Sequence, residues 1–121
     1  ASNLVAVDIP EGITSIGDDS FASCISLKDI KFPKSLTSIG NGSFFKCSSL
    51  EEVDLLHTNV QELGRRAFAG CTSLRAMKIP DSLQTFGKLV FMKCSELVPS
   101  DIDIGFDHDV SAVVAYLRSV Q

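Results

Sequence analysis

The chain has 121 residues, 45% of them hydrophobic and 21% charged, with a net charge of −4 at pH 7. That balance fits a chain with a buried core rather than a disordered one, and its acidic sign argues against nucleic acid or an anionic membrane as partner, since both require a basic face. No window approaches the roughly 18 apolar residues of a membrane span, and the start ASNLVAVDIP lacks the charged-then-apolar layout of a signal peptide.

From Leu4 onward the chain repeats itself. It reads LVAVDIPEGITSIGDDSFASCIS from Leu4, LKDIKFPKSLTSIGNGSFFKCSS from Leu27, LEEVDLLHTNVQELGRRAFAGCTS from Leu50 and LRAMKIPDSLQTFGKLVFMKCSE from Leu74, and the pattern decays after Leu97. Steps of 23, 23, 24 and 23 residues separate the leading leucines, a period in the leucine-rich-repeat range.

Each repeat opens with a predicted strand. The pairs Val7/Ile9, Ile30/Phe32, Val53/Leu55 and Met77/Ile79 stand three and five residues beyond the leading leucine, an alternation that buries one face of a short strand. Pro10, Pro33 and Pro80 close it in three of the four coils, where the missing N–H ends ladder pairing. Ile13, Leu36, Val60 and Leu83 follow, then Ile16, Ile39, Leu63 and Phe86, and this spacing turns both sets inward.

Gly17, Gly40, Gly64 and Gly87 come next, one per coil. A glycine recurring at one place marks a turn that needs either positive φ or close backbone approach. Beyond it, Phe21, Phe44, Phe68 and Phe91 each precede a cysteine by three residues. One or two turns of α- or 3₁₀-helix are expected there, opposite the strand, with the phenylalanines stacked into a continuous spine. In the third coil Leu56 replaces the proline and one residue is inserted, so its loop should bulge.

After Leu97 the strand pattern moves to Ile102 and Ile104, and DVSAVVAYLRSVQ then sets Val110, Val113, Val114 and Leu117 at helical spacing. Asp107 or Asp109 serves as N-cap and Arg118 lies near the C-terminus, where a cation is favoured. The expected division is 1–104 for the repeats and 105–121 for a capping helix. At the other end Ala1 falls in the cysteine column, so the chain begins within a repeat; the first coil is expected to meet further repeats or a neighbouring subunit.

The pattern LxxVxIPxxLTSIGxxSFxxCxS resembles the BspA-like class of leucine-rich repeats over Leu4 to Glu96. The resemblance implies an α/β leucine-rich-repeat solenoid, right-handed, with short parallel strands on a concave face and helical turns on the convex side. It also implies cell-surface or extracellular proteins that adhere to host or matrix proteins, fibronectin and fibrinogen among them.

Chemistry finds little support in the residues. Cys24, Cys47, Cys71 and Cys94 match no zinc spacing. Stacked rungs would permit Cys24–Cys47 and Cys71–Cys94 disulfides by distance, while side chains pointing in parallel into a core favour free buried thiols. Asp101, Asp103, Asp107 and Asp109 suggest calcium, yet Gly105, Phe106 and Ala112 stand where an EF-hand loop requires a ligand, a glycine and a glutamate. His57 and His108 have no nucleophile beside them, and no glycine-rich phosphate loop exists. No cofactor and no enzymatic activity are expected.

The remaining resource is surface. Residues two and four beyond each leading leucine project from the sheet: Ala6/Asp8, Asp29/Lys31, Glu52/Asp54 and Ala76/Lys78. With Leu56 and His57 on the bulged loop, the candidate partner-binding residues are Asp8, Asp29, Lys31, Glu52, Asp54, Leu56, His57 and Lys78. The expected function is protein recognition or adhesion within a longer protein. The alternative is a structural spacer whose concave face binds nothing, and a third reading is a calcium-dependent binder.

Overall fold

The computed structural model describes residues 3–98 and the backbone of 102–104. Among the described residues are nine short strands: β1 (Ala6–Asp8), β2 (Ser15–Ile16), β3 (Asp29–Lys31), β4 (Ser38–Ile39), β5 (Glu52–Asp54), β6 (Glu62–Leu63), β7 (Ala76–Ile79), β8 (Thr85–Phe86) and β9 (Ile102–Ile104). Every pairing is parallel and joins equivalent strands of adjacent coils, as in Val7 with Ile30, Val53 with Met77 and Met77 with Ile102; β3 and β5 alone of the equivalent neighbours do not pair. The repeats therefore stack as successive turns of a β-solenoid, each covering its neighbour's apolar edge.

Register follows from burial. Leu27, Leu50, Leu74 and Leu97 are wholly buried, as are Val53 and Met77 on the strands. A slip of one residue would turn these side chains outward and bring charged ones in. Ile13 departs from the expected inward column: Leu36 and Val60 are fully buried, but Ile13 is 41% exposed because no described coil lies beyond it.

A second ladder runs through all four coils in the order β2, β4, β6, β8. Spacing turns Ile16, Ile39, Leu63 and Phe86 inward without marking a second strand. The ladder's two-residue strands bury Ile16, Ile39 and Leu63 and half-bury Phe86, with Ser15, Ser38, Glu62 and Thr85 facing away from the core. The glycines that follow answer the question left open by the sequence. None of the four has positive φ, and a Cβ on Gly64 would lie 2.5 Å from both Asn41 N and Gly40 C. Close approach to the preceding coil requires Gly40, Gly64 and Gly87, while a Cβ on Gly17 would meet only Ser20 Oγ of its own turn.

The phenylalanine spine is present. Phe21, Phe44 and Phe68 stack with centroids 5.3 and 5.2 Å apart, and Phe91 continues the row at 6.1 Å. The helical turns are not: among the described residues no helix forms, and the segment from glycine to cysteine is a run of turns. Asp19, Ser23, Lys46, Arg66, Leu89 and Lys93 have φ of 56 to 61°, and Gly42 and Gly70 share those columns. A left-handed residue at every fourth position stops a right-handed helix. Backbone N–H groups then divide between two kinds of partner. Cys24 and Cys47 bond three residues back, to the carbonyls of Phe21 and Phe44, while Phe21, Phe44 and Phe68 donate across to Ser43, Ala67 and Val90 of the following coil. The capping helix expected over 105–121 and most of the acidic stretch Asp101–Asp109 lie outside the described residues.

Candidate functional site

Six of the eight candidate residues occupy one face. Asp8, Asp29, Lys31, Glu52 and Asp54 are exposed and Lys78 half-exposed, each flanking a strand residue that packs inward. Leu56 and His57 follow β5 in the turn of the third coil, both exposed. Parallel register sets Lys31 beside Asp8 and Lys78 beside Asp54. Lys78 Nζ lies 3.7 Å from Glu52 Oε1 and 4.0 Å from Asp54 Oδ2. Exposed pairs of this kind contribute at most about 1 kcal/mol, but they reduce the charge offered to a partner. Part of the acidity counted in the sequence is neutralised within the face.

The face is not continuous. Strands β1 and β3 form one sheet and β5, β7 and β9 another. Where pairing holds, bonds flank it at both ends: Lys28 N–H to Val5 O and Ile9 N–H to Lys31 O, or Arg75 N–H to Glu51 O and Leu55 N–H to Lys78 O. Between the second and third coils no counterpart of these bonds occurs among the described residues.

The inserted residue explains the break. Asp54 Oδ1 accepts from Leu56 N–H, Thr58 Oγ1 donates to Leu55 O, and Asn59 Nδ2 donates to Lys34 O. His57 Nε2 donates to Phe32 O at 2.6 Å, supplying from a side chain a bond to the end of β3. Side chains pin the loop to the second coil, and ladder pairing lapses between the two halves of the face, although β3 and β5 remain neighbours. Sequence spacing located the bulge but carried no sign of the parted sheet.

The cysteines are all free and buried. Cys47, Cys71 and Cys94 each donate Sγ–H to the carbonyl of the spine phenylalanine one coil back, at 3.1, 3.2 and 3.0 Å. Burial raises all three thiols, Cys47 to about 11 and Cys94 to about 12 from an ordinary value of 9.0. The folded state disfavours the thiolate, so the stability these thiols provide is intact below pH 9 and is lost as pH climbs through 11 and 12. Native protein at pH 8 should therefore leave these three unmodified by a thiol-specific disulfide reagent, all four reacting at once in denaturant; rapid native labelling of Cys71 would contradict the packing. Among the described residues no group of three or more His, Cys, Asp or Glu is placed to hold a metal ion, and no helix is long and apolar enough to cross a membrane.

A family model described as BspA type leucine rich repeat region matches residues 1–107 in 6 copies. Among solved structures, a leucine-rich repeat protein from Bacteroides ovatus aligns with a TM-score of 0.74 at 27% identity, over 83% of this chain and 25% of its own. The pneumococcal vaccine antigen PcpA aligns with a TM-score of 0.65 at 26% identity, over 84% of this chain and 24% of its own. A leucine rich cell surface protein from Faecalibacterium prausnitzii is similar in fold, with a TM-score of 0.70 at 23% identity, over 93% of this chain and 34% of its own. The chain spans only a quarter to a third of each of these. No curated protein matches its sequence.

Proposed function

Because the chain belongs to the BspA-type leucine-rich repeat family, we propose that it is a non-enzymatic recognition module that binds a protein through its strand face. The observation that carries this reading is the alternation on β1, β3, β5 and β7, which holds one row of side chains in the core and presents the other to solvent over four coils. Such a surface is rigid before binding, so little ordering cost attends association. Its charged rows favour a polar, partly basic partner surface and a salt-sensitive on-rate. Likeness to a pneumococcal vaccine antigen is consistent with a setting in which the chain meets other proteins.

The test is charge reversal at Asp29 and Glu52. Asp54 is spared because its carboxylate also accepts the Leu56 N–H. Binding of the chain to immobilised fibronectin and fibrinogen, followed by biolayer interferometry, should fall about tenfold or more for D29K/E52K, with the thermal midpoint unchanged. Binding that is undiminished would remove the strand face from recognition. One observation favours the spacer reading instead: Lys78 is already held between Glu52 and Asp54, so the fourth coil offsets part of the charge that the third presents. A spacer would show no saturable binding to either protein before or after the substitutions.

A further inference from the structure

The turn side carries a charge pattern that the strand face lacks. In residues 40–49, 64–73 and 87–96, the second to fourth coils place Lys46, Arg65, Arg66, Lys88 and Lys93 against one carboxylate, Glu96, whereas the same segment of the first coil has Asp18 and Asp19 and no base. These residues are in register. Asp18 Oδ1 accepts from Asn41 N–H and Asn41 Oδ1 accepts from Arg65 N–H, both at 2.8 Å. In the adjoining column Asp19 N–H bonds Asn41 O and Gly42 N–H bonds Arg65 O, each at 2.9 Å. The acid pair and the arginine pair thus stand one coil to either side of Asn41 and Gly42.

A depression of about 270 Å3 follows this edge, lined by Asp19, Asn41, Gly42, Phe45, Arg65 and Arg66. Both arginines are exposed, and neither enters an ion pair among the described residues. Half-buried Phe45, with Lys46 Nζ 5.3 Å from its ring centroid, lines the same hollow. Arginine and aromatic side chains are the types most enriched where interfaces concentrate their energy.

We propose that this edge is a self-complementary interface between two copies of the chain, set antiparallel about a two-fold axis at the second coil. Rotation about Asn41 and Gly42 brings Asp18 and Asp19 of one copy onto Arg65 and Arg66 of the other, and the same contact forms twice, as a two-fold interface requires. Half-buried Phe45 supplies apolar contact beside the axis. A continuous polyanion fits less well, because Asp19 lines the hollow that the arginines line. Parallel copies would set like charge on like. Exposed ion pairs fix register more than affinity, so the dimer is weak and salt-sensitive. It uses a flank other than the strand face, and stands whether or not that face binds a protein.

Sedimentation equilibrium of the full chain tests it. The apparent mass should approach a twofold increase over an about hundredfold rise in concentration at low ionic strength, and the increase should vanish near 0.5 M salt, where the screening length falls to roughly 4 Å. R65E/R66E and D18N/D19K should each be monomeric with unchanged thermal midpoints; Asp18→Asn keeps the acceptor for Asn41 N–H. Mixed in equal amounts, the two variants regain opposite charges at both contacts and should associate at least about tenfold more tightly than either alone. A wild-type chain that stays monomeric at every concentration, or a mixture no tighter than its components, would overturn the proposal. So would dimerisation of the wild type that persists unchanged in both variants.

Discussion

Gly64→Ala is expected to destabilise the chain by about 3 kcal/mol, whereas Gly17→Ala, in the same column two coils earlier, costs less than about 1 kcal/mol. The difference lies in what each new methyl would meet. At Gly64 it would stand 2.5 Å from Asn41 N and from Gly40 C, while at Gly17 it meets only its own turn's Ser20 Oγ, at 3.2 Å. Backbone atoms cannot rotate away as a side chain can. Coil two is also held there by Gly64 N–H to Ile39 O at 2.7 Å and by Arg65 N–H to Asn41 Oδ1. Forcing one methylene into packed surroundings costs roughly 1–3 kcal/mol, and two backbone contacts place Gly64 at the upper end. Urea unfolding of both variants, followed by circular dichroism, measures the gap. Equal losses would mean that the column serves the local turn and not the approach of one coil to the next.

The parts of this fold that were legible in the sequence are those in which one residue type does one job in every coil. Leading leucines, strand pairs, glycines and spine phenylalanines recur because each packs on its own copy one turn away, so a single core position is written four times. The turn conformation was hidden for the opposite reason. Left-handed geometry usually shows as glycine, yet here Asp19, Ser23, Lys46, Arg66, Leu89 and Lys93 adopt it, and each such residue carries a cost of about 1–2 kcal/mol. Bonds to the neighbouring coil, such as Lys46 N–H to Ala69 O and Arg66 N–H to Lys88 O, offset that cost. Tertiary pairing thus overrides what propensity indicates, and a helix was the wrong expectation.

The candidate face was legible only as a row. Period-two spacing named Asp29, Glu52 and their neighbours correctly as outward-facing, but an alternation within one strand carries no information about how far apart two strands lie. The parting between β3 and β5 arises from the turn held by Thr58, Asn59 and His57, none of which belongs to the repeat pattern. The turn-side edge was harder still. Arg65 and Arg66 belong to no repeated column of like charge, and only register sets them one coil beyond Asn41, with Asp18 and Asp19 one coil before it.

Phe44→Ala should produce the largest loss of any single truncation in the spine, about 3–5 kcal/mol. Phe44 is fully buried, stacks on Phe21 and on Phe68, and meets Phe32 edge-on at 5.9 Å. Beyond the cavity itself, each lost aromatic contact removes about 0.5–1.5 kcal/mol. Phe21 is only half-buried and stacks on Phe44 alone among the described residues, so Phe21→Ala should cost less than half as much. Because a solenoid's stability is a sum of coil and nearest-neighbour terms, the damage should also be local. The first and second coils, coupled to the rest through Phe44 and through a strand face already parted at β3 and β5, should lose amide protection first. Hydrogen exchange of F44A should then quicken at Gly40 and Ile16 while Gly87, in the fourth coil, stays protected. Uniform acceleration from the first coil to the fourth would mean that the chain unfolds as one unit and that the parted sheet does not weaken the junction between its halves.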